Sequence, residues 1–194
     1  MNSEILKDFK WDFESKVEIN ENNLKLTALP HTDYFVDPVS GTSIMNAPYY
    51  YCETDKDFVL NTKATREFVS TYDACALLVI SDETHWVKLC FEFSDFGTHA
   101  VVSVITNGVS DDANGVDIEG DTVYLQIVKR GGLFALHYSL DGNNYRMVRL
   151  CKLPVNNTVK VGFVAQSPRG EGGDCFYEDI QLDFKSVNDL RKGV

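Results

Sequence analysis

The segment HWVKLCFEF (85–93) carries an aromatic ring, a cation and a carboxylate at Trp86, Lys88 and Glu92. Because successive side chains of a β-strand point to opposite faces, these three are expected to project from the same face. An aromatic ring beside charged hydrogen-bonding groups suits a sugar, whose C–H faces stack and whose hydroxyls need donors and acceptors. The same spacing fits an ordinary polar face on which Lys88 and Glu92 form a salt bridge. Both interpretations stay open.

Two later segments of strand-like pattern carry Tyr124, Gln126 and His137 at positions that alternate with apolar residues. If these segments neighbour the strand at 85–93, their polar side chains join those of that strand on one sheet surface. Planar amide and imidazole groups beside aromatic rings are again suited to a saccharide. We therefore predict one aromatic and polar ligand-binding face.

Hydrolysis of a glycosidic bond usually requires two carboxyl groups, about 5 Å apart in retaining enzymes and farther apart in inverting ones. Glu92 stands in the middle of the candidate face, whereas Asp95 falls at the end of its strand. No catalytic residue is therefore assigned. Glu92 remains the candidate acid or base if the protein is a hydrolase, with Asp33 or Asp111 contributed by loops.

The acidic segment SDDANGVDIEGD (110–121) contains the oxygen ligands Asp111, Asp112 and Asn114. Calcium prefers carboxylate-rich loops, but Gly115 follows Asn114 directly and does not match the spacing of an EF-hand. We interpret the segment as a solvated connection, with a calcium site as the alternative. No other metal or cofactor is predicted, because the histidines are scattered and the glycine-containing segments match neither nucleotide-binding motif.

Composition restricts the classes of partner. The formal net charge is −11 and the isoelectric point is near 4.7, so nucleic acids and anionic membrane surfaces would be repelled. The five cysteines include no CxxC pair, which argues against a disulfide framework or a zinc site. The N-terminal residues lack the apolar stretch of a signal peptide. We expect a soluble cytoplasmic protein.

Short apolar or alternating runs, separated by Gly, Asn, Asp and Pro, predict antiparallel strands joined by hairpins. Only KSVNDLRK (185–192) has a helical period. About ten strands in one chain favour a single all-β domain over residues 1–194, built as a two-sheet antiparallel β-sandwich with little helix. The predicted strands are residues 23–29, 57–65, 73–81, 85–93, 99–106, 121–130, 133–140, 144–151, 158–166 and 176–184.

Several segments, in this order, resemble the regulation-of-enolase family of uncharacterised proteins. This resemblance implies a concanavalin A-like lectin/glucanase sandwich, or jelly roll. The matching segments are HTDYFVDP (31–38), APYYYCETDKDFVLNTK (47–63), YDACALLVISDETHWVKLCFE (72–92), SVITNGVSDDANG (103–115), HYSLDGNNYRMVR (137–149) and VKVGFVAQSPRGEGGDCF (159–176).

The resemblance also indicates site residues. In similar proteins a W-x-K motif and a following glutamate recur, and they match Trp86, Lys88 and Glu92. Asp33 matches the acid of an early T-D-Y/F segment, and Arg149 matches an arginine that follows an S-x-D-G turn. These two residues join the predicted ligand-binding set.

Three functions follow from these observations. The preferred prediction is a protein that binds a carbohydrate or small polyol on an aromatic and polar sheet face. The first alternative is a cytosolic regulatory module of carbohydrate metabolism that binds a protein partner, as the family name suggests. The second is a glycan-active hydrolase that uses Glu92. A fold alone does not establish activity.

Overall fold

The computed structural model describes residues 5–194, which form strands joined by turns and one short 3₁₀ helix at Ile5–Asp8. Within this range no helix is long and apolar enough to cross a membrane. The strands are β1 (Lys10–Asp12), β2 (Val17–Asn20), β3 (Asn23–Ala28), β4 (Tyr34–Val36), β5 (Ser43–Met45), β6 (Tyr49–Thr54), β7 (Phe58–Thr65), β8 (Ala74–Asp82), β9 (His85–Phe93), β10 (His99–Asn107), β11 (Val109–Asp117), β12 (Thr122–Arg130), β13 (Leu133–Ser139), β14 (Arg146–Lys152), β15 (Val159–Gln166) and β16 (Gly173–Asp183).

Two seven-stranded antiparallel sheets pack face to face. Sheet A has the order β1-β6-β15-β8-β9-β10-β11, and sheet B has the order β14-β13-β12-β7-β16-β3-β2. Strands β4 and β5 form a separate hairpin. The predicted all-β, two-sheet antiparallel sandwich is confirmed.

The inter-sheet core follows from strand alternation. On β9, Val87, Leu89 and Phe91 point inward and are fully buried against residues of sheet B such as Leu125 and Leu136. Burying a large apolar side chain stabilises a fold by about 1.5–3 kcal/mol. The predicted parity of β9 is therefore correct.

A second apolar layer covers part of the outer face of sheet A. The hairpin β4-β5 and the chain leading to β6 pack Tyr34 and Tyr49 against Trp86 and Cys90. On the outer face of sheet B, the segment 185–194 packs Val187 and Leu190 in the same way. Each outer face is thus only partly open to solvent.

Two predicted elements differ from the structure. The acidic segment expected to be a connection forms β11, which pairs with β10 along its length around a bulge at Gly115. KSVNDLRK contains no helix. Its carbonyl groups at Val187 and Asn188 accept hydrogen bonds from Arg130, so side chains of sheet B take the place of helical N–H donors.

Candidate functional site

Trp86, Lys88 and Glu92 share the outer face of sheet A, as the strand pattern predicted. Trp86, however, has no exposed surface, because the layer around Tyr34 covers it. The interpretation of Trp86 as an open aromatic platform is therefore wrong. Trp86 belongs to the apolar layer formed with Tyr34 and Tyr49.

Lys88 is almost fully buried and its ammonium group has three fixed acceptors. Its Nζ donates to Asp33 Oδ1 at 3.0 Å, to the Tyr34 carbonyl at 2.8 Å and to Gln166 Oε1 at 2.9 Å. Burial lowers the pKa of Lys88, but the surrounding acidic groups, led by Asp33, and the hydrogen bond to Asp33 together outweigh burial, so the net pKa is raised. Lys88 is a permanent cation whose partner is Asp33, and the alternative salt bridge to Glu92 is not formed within residues 5–194.

Glu92 is 7% exposed, and its carboxyl group has no hydrogen-bond partner among the described residues. Burial raises the pKa of Glu92 to about 8; Lys88 lowers it, and Asp112 and Asp33 add repulsion. At neutral pH this group is therefore mostly a neutral acid that can both donate and accept a hydrogen bond. Perturbed, buried carboxyl groups of this kind are common in functional clefts.

These side chains line a cleft of about 360 Å³, here called the Lys88–Glu92 cleft. Small residues lie beside Glu92 in register, with Ala74 on β8 and Ala100 on β10, and they leave room above the carboxyl group. The walls come from the loop before β4, the β7–β8 loop, β11 and the segment after β15. Their polar members are Asp33, Asp37, Tyr72, Asp95, Asp112, Asn114, Gln166 and Arg169.

Asp33 is brought to the cleft by local hydrogen bonds. Its carboxylate accepts a hydrogen bond from the backbone N–H of Tyr34. Its own backbone N–H donates a hydrogen bond to the side chain of Asn46, the residue that follows β5. Across the mouth, the guanidinium of Arg169 lies 4.7 Å from the ring centre of Tyr72. Such a pair offers a planar cation and an aromatic edge at the entrance.

The proposed calcium ligands do not converge. Asp112 and Asn114 face the Lys88–Glu92 cleft from β11, whereas Asp111 points to the other face and pairs with Arg149 at 2.8 Å. No group of three or more His, Cys, Asp or Glu side chains within residues 5–194 is arranged to hold a metal ion. Arg149 thus lies outside the cleft, on β14 of sheet B.

Tyr124, Gln126 and His137 do not meet the β9 residues. Strands β12 and β13 pair with β7 in sheet B, so these side chains emerge on the opposite side of the sandwich. His137 is fully buried beneath the segment 185–194. The predicted single face, which combined six side chains from three strands, is wrong because those strands belong to two different sheets.

Several cleft residues were not predicted from the sequence, among them the polar residues Asp37, Tyr72, Gln166 and Arg169. Gln166 ends β15, where its partner in register is Ala74 of β8. The alternation of Asp112 and Asn114 was visible in the sequence as a strand period, which would have placed both on one face. For Tyr72 and Arg169, which stand in loops, no periodic signal exists.

A larger groove of about 900 Å³ lies at the β1 edge of sheet A, beside Trp11 and Phe13. Most of its charged groups already have partners, since Lys160 pairs with Asp12, Glu53 with Lys10 and Asp82 with His85. It holds no group comparable to the unpaired, buried Glu92. We therefore place the candidate site in the smaller cleft.

Residues 11–185 match the family described as "Protein of unknown function (DUF1349)". The chain belongs to this family. It is 28% identical over 163 residues to "Regulation of enolase protein 1" of Saccharomyces cerevisiae, and the match covers 82% of each chain. The resemblance drawn from the motifs is confirmed.

Solved structures with the same fold extend the comparison. A functionally unknown protein from Saccharomyces cerevisiae is similar with a TM-score of 0.86 at 24% identity, over 94% of this chain and 99% of that one. The carbohydrate binding module CBM66 from Bacillus subtilis gives 0.58 at 11% identity, over 89% and 94%. Xylan beta-1,4-xylosidase from Bacillus halodurans C-125 gives 0.68 at 12% identity, over 89% of this chain and 38% of that one. At these identities the likeness shows the fold alone.

Proposed function

We propose that this protein binds a small neutral saccharide or polyol in the Lys88–Glu92 cleft. The observation that carries the proposal is the Glu92 carboxyl group, which is buried and unpaired among the described residues yet borders an open cleft. The carboxyl group faces the cleft, so a ligand hydroxyl can donate a hydrogen bond to Glu92 or accept one from it.

The surrounding groups suit a polyhydroxylated ligand. The three donors of Lys88 are all used, and they hold Asp33 and Gln166 in place, so the remaining acceptor capacity of the Asp33 carboxylate is presented in a fixed geometry. The edge of Tyr72 and the plane of Arg169 supply surfaces on which a sugar ring can pack. A carbohydrate binding module among the proteins of the same fold is consistent with this ligand class.

Charge makes a neutral ligand the better fit. Around the cleft, Asp37, Asp95 and Asp112 have no basic partner among the described residues, Lys88 is paired with Asp33, and Arg169 is the one remaining cation of the described lining. This excess of negative charge, within a protein of net charge −11, repels phosphorylated or carboxylated sugars. We expect uncharged sugars to bind and their phosphate esters to be rejected.

A second candidate function is regulatory. The yeast relative named "Regulation of enolase protein 1" aligns with 82% of this chain, which favours a role in which ligand binding controls a protein partner of carbohydrate metabolism in the cytoplasm. Such a role needs no turnover of the ligand. It predicts a partner whose affinity changes when the cleft is occupied.

The test is a titration of the protein with glucose, galactose, xylose, glycerol and sorbitol, monitored by calorimetry and by amide chemical shifts. Glu92→Ala is expected to weaken saccharide binding by about tenfold or more, which corresponds to about 1.4 kcal/mol. The matched control is Glu53→Ala, which removes an acid from sheet A outside the cleft. Glucose 6-phosphate serves as the charged counterpart of glucose.

Equal affinity of Glu92→Ala and the unaltered protein would contradict the proposal, as would tighter binding of the phosphate ester. Release of a new reducing end from an oligosaccharide, lost in Glu92→Gln, would instead establish the hydrolase.

A further inference from the structure

A row of polar side chains crosses the outer face of sheet B. Gln126 of β12 is in register with Asn61 of β7, and Asn61 is in register with Gln181 of β16. Three carboxamide side chains thus stand side by side on neighbouring strands. Each carboxamide has two donors and an acceptor with two lone pairs, so the row is rich in hydrogen-bonding capacity.

This capacity is largely unused within the described residues. Gln126 is 5% exposed, and its Oε1 is buried without a hydrogen-bond partner. The side chains of Asn61 and Gln181 likewise form no hydrogen bond to any residue of 5–194. The Gln126 oxygen lies under the segment 185–194, where a Cβ on Gly193 would come within 2.5 Å of it. The hydrogen-bonding capacity open to a ligand is therefore that of half-buried Asn61 and exposed Gln181, which line the cavity next to Gln126.

A bulge in β16 creates the row. The register shifts between Glu178 and Gln181, and Asp179 adopts a left-handed backbone with a φ of 53°. Without the extra residue, Ile180 would stand beside Asn61; in the structure Ile180 is buried in the core instead. Bulges of this kind re-aim side chains next to functional sites.

Two tyrosines border the row. The ring of Tyr124 packs so closely on Gly142 that a Cβ there would lie 2.9 Å from ring atoms, so the ring is held in place. Burial, with the nearby Tyr124 and Asp141, raises the pKa of Tyr145 to about 12, so its hydroxyl remains a donor. Neither phenol has a partner among residues 5–194.

Asp141, Asp179 and Asp183 are the acidic side chains around the row, and Asp141, beside the rings, is already satisfied. Asp141 accepts hydrogen bonds from Ser139 and from the Asn143 and Asn144 backbone, and it holds the turn after β13. Two adjoining cavities of about 410 and 490 Å³ share Asn61, Tyr145 and Gln181. The segment 185–194 forms the wall of the second.

We propose that this amide row and its two tyrosines form a second binding site, for a neutral saccharide ring, on the face opposite the Lys88–Glu92 cleft. Carboxamides bind pairs of sugar hydroxyls through their donor and acceptor together, and tyrosine rings cover the apolar C–H surface. The hydrogen-bonding groups assigned to this site are neutral amides and phenols. The two sites are independent of each other.

The experiment follows backbone amide shifts of the full chain during titration with glucose, galactose, xylose and their β-1,4-linked oligomers. We expect the backbone amide resonances of Asn61, Gln126 and Gln181 to shift during the titration. Asn61→Ala and Tyr145→Ala are each expected to weaken the saccharide affinity obtained from these shifts by about tenfold. The matched control is Phe176→Ala, which removes a 40% exposed aromatic ring from the same sheet, outside the two cavities of the proposed site. Thermal unfolding verifies that each variant is folded.

Glu92→Ala separates the two proposals. Persistence of the Asn61-centred shifts in Glu92→Ala supports the second site, whatever happens at the first. Loss of all saccharide shifts in Glu92→Ala, with Asn61→Ala behaving like the unaltered protein, overturns the second site and supports the first. The absence of any shift at Asn61, Gln126 and Gln181 across the whole sugar panel also overturns it.

Discussion

The ionisation of Glu92 links the Lys88–Glu92 cleft to pH. Burial raises the pKa of Glu92 from 4.5 to about 8, so between these values the folded protein holds a proton that the unfolded chain has released. Stability therefore falls as pH rises through this window. Lys88, Asp112, Asp33 and Asp95 are the charged groups that face the carboxyl and set this value.

Glu92→Gln replaces the titrating carboxyl group with an amide that does not ionise, so the pH dependence due to Glu92 is lost. Relative to the unaltered protein, the variant is expected to gain stability from pH 5 to pH 8 by at most about 1.4 kcal/mol per pH unit, the limit for one proton. Urea unfolding at several pH values measures the difference. His137, whose pKa burial lowers, has the opposite effect below its ordinary value but is common to both proteins and cancels. Parallel stability curves would show that Glu92 is not the titrating group.

At the scale of elements, the edge strand β11 positions one wall of the cleft. Its bulge lies at Gly115, where an added Cβ would come within 2.6 Å of the Val101 carbonyl oxygen on β10. Only a residue without a side chain allows this close approach. Asn114 and Asp112, which pair with Val102 and Val104 of β10 just before the bulge, both face the cleft.

Gly115→Ala is therefore expected to separate β11 from β10, to destabilise the protein by about 1–3 kcal/mol and to weaken saccharide binding in the cleft. The control is Gly97→Ala, where nothing lies within 4 Å and only the positive φ is unfavourable. That control is expected to cost about 1 kcal/mol and to leave binding intact. Urea unfolding and calorimetry measure both variants. A variant at Gly115 with native affinity would show that β11 does not shape the site.

At the scale of the whole molecule, a buried arginine joins the two sheets. Arg66 follows β7 of sheet B and donates to the carbonyls of Ala74 and Gln166 in sheet A. It also pairs with Asp73 at 3.3 Å, and both side chains are fully buried. Removing one partner of a buried pair leaves the other charge uncompensated.

Arg66→Met is expected to lower the free energy of unfolding by about 3–5 kcal/mol, because Asp73 is left buried without its countercharge. Lys25→Met, which breaks surface pairs with Glu18 and Asp174, is the control and should change little. Urea unfolding measures both. If Arg66→Met were as stable as the control, packing alone would be what holds the two sheets together at this edge.

Much of the fold could be predicted from alternation and turns. Strand β9 (His85–Phe93) has the predicted bounds. Strands β3, β7, β10, β12, β13 and β15 differ by one residue at one end, and β8 differs by one residue at each end. The short strands β1, β2, β4 and β5 were missed because three or four residues carry no clear period. Strand β6 was missed although YYYCET lies inside sheet A, and β11 was missed because its acidic residues are typical of loops.

The candidate site, like the fold, has some features that the sequence determined and others that only the tertiary structure decided. By itself the sequence determined that Lys88 and Glu92 project together from β9 and away from the inter-sheet core, since parity is a local property of a strand. Only the tertiary structure decided that Asp33, 55 residues away, neutralises Lys88, that Trp86 is covered, and that Tyr124 belongs to the opposite face. These outcomes depend on strand order and on contacts between distant segments, which no local pattern encodes.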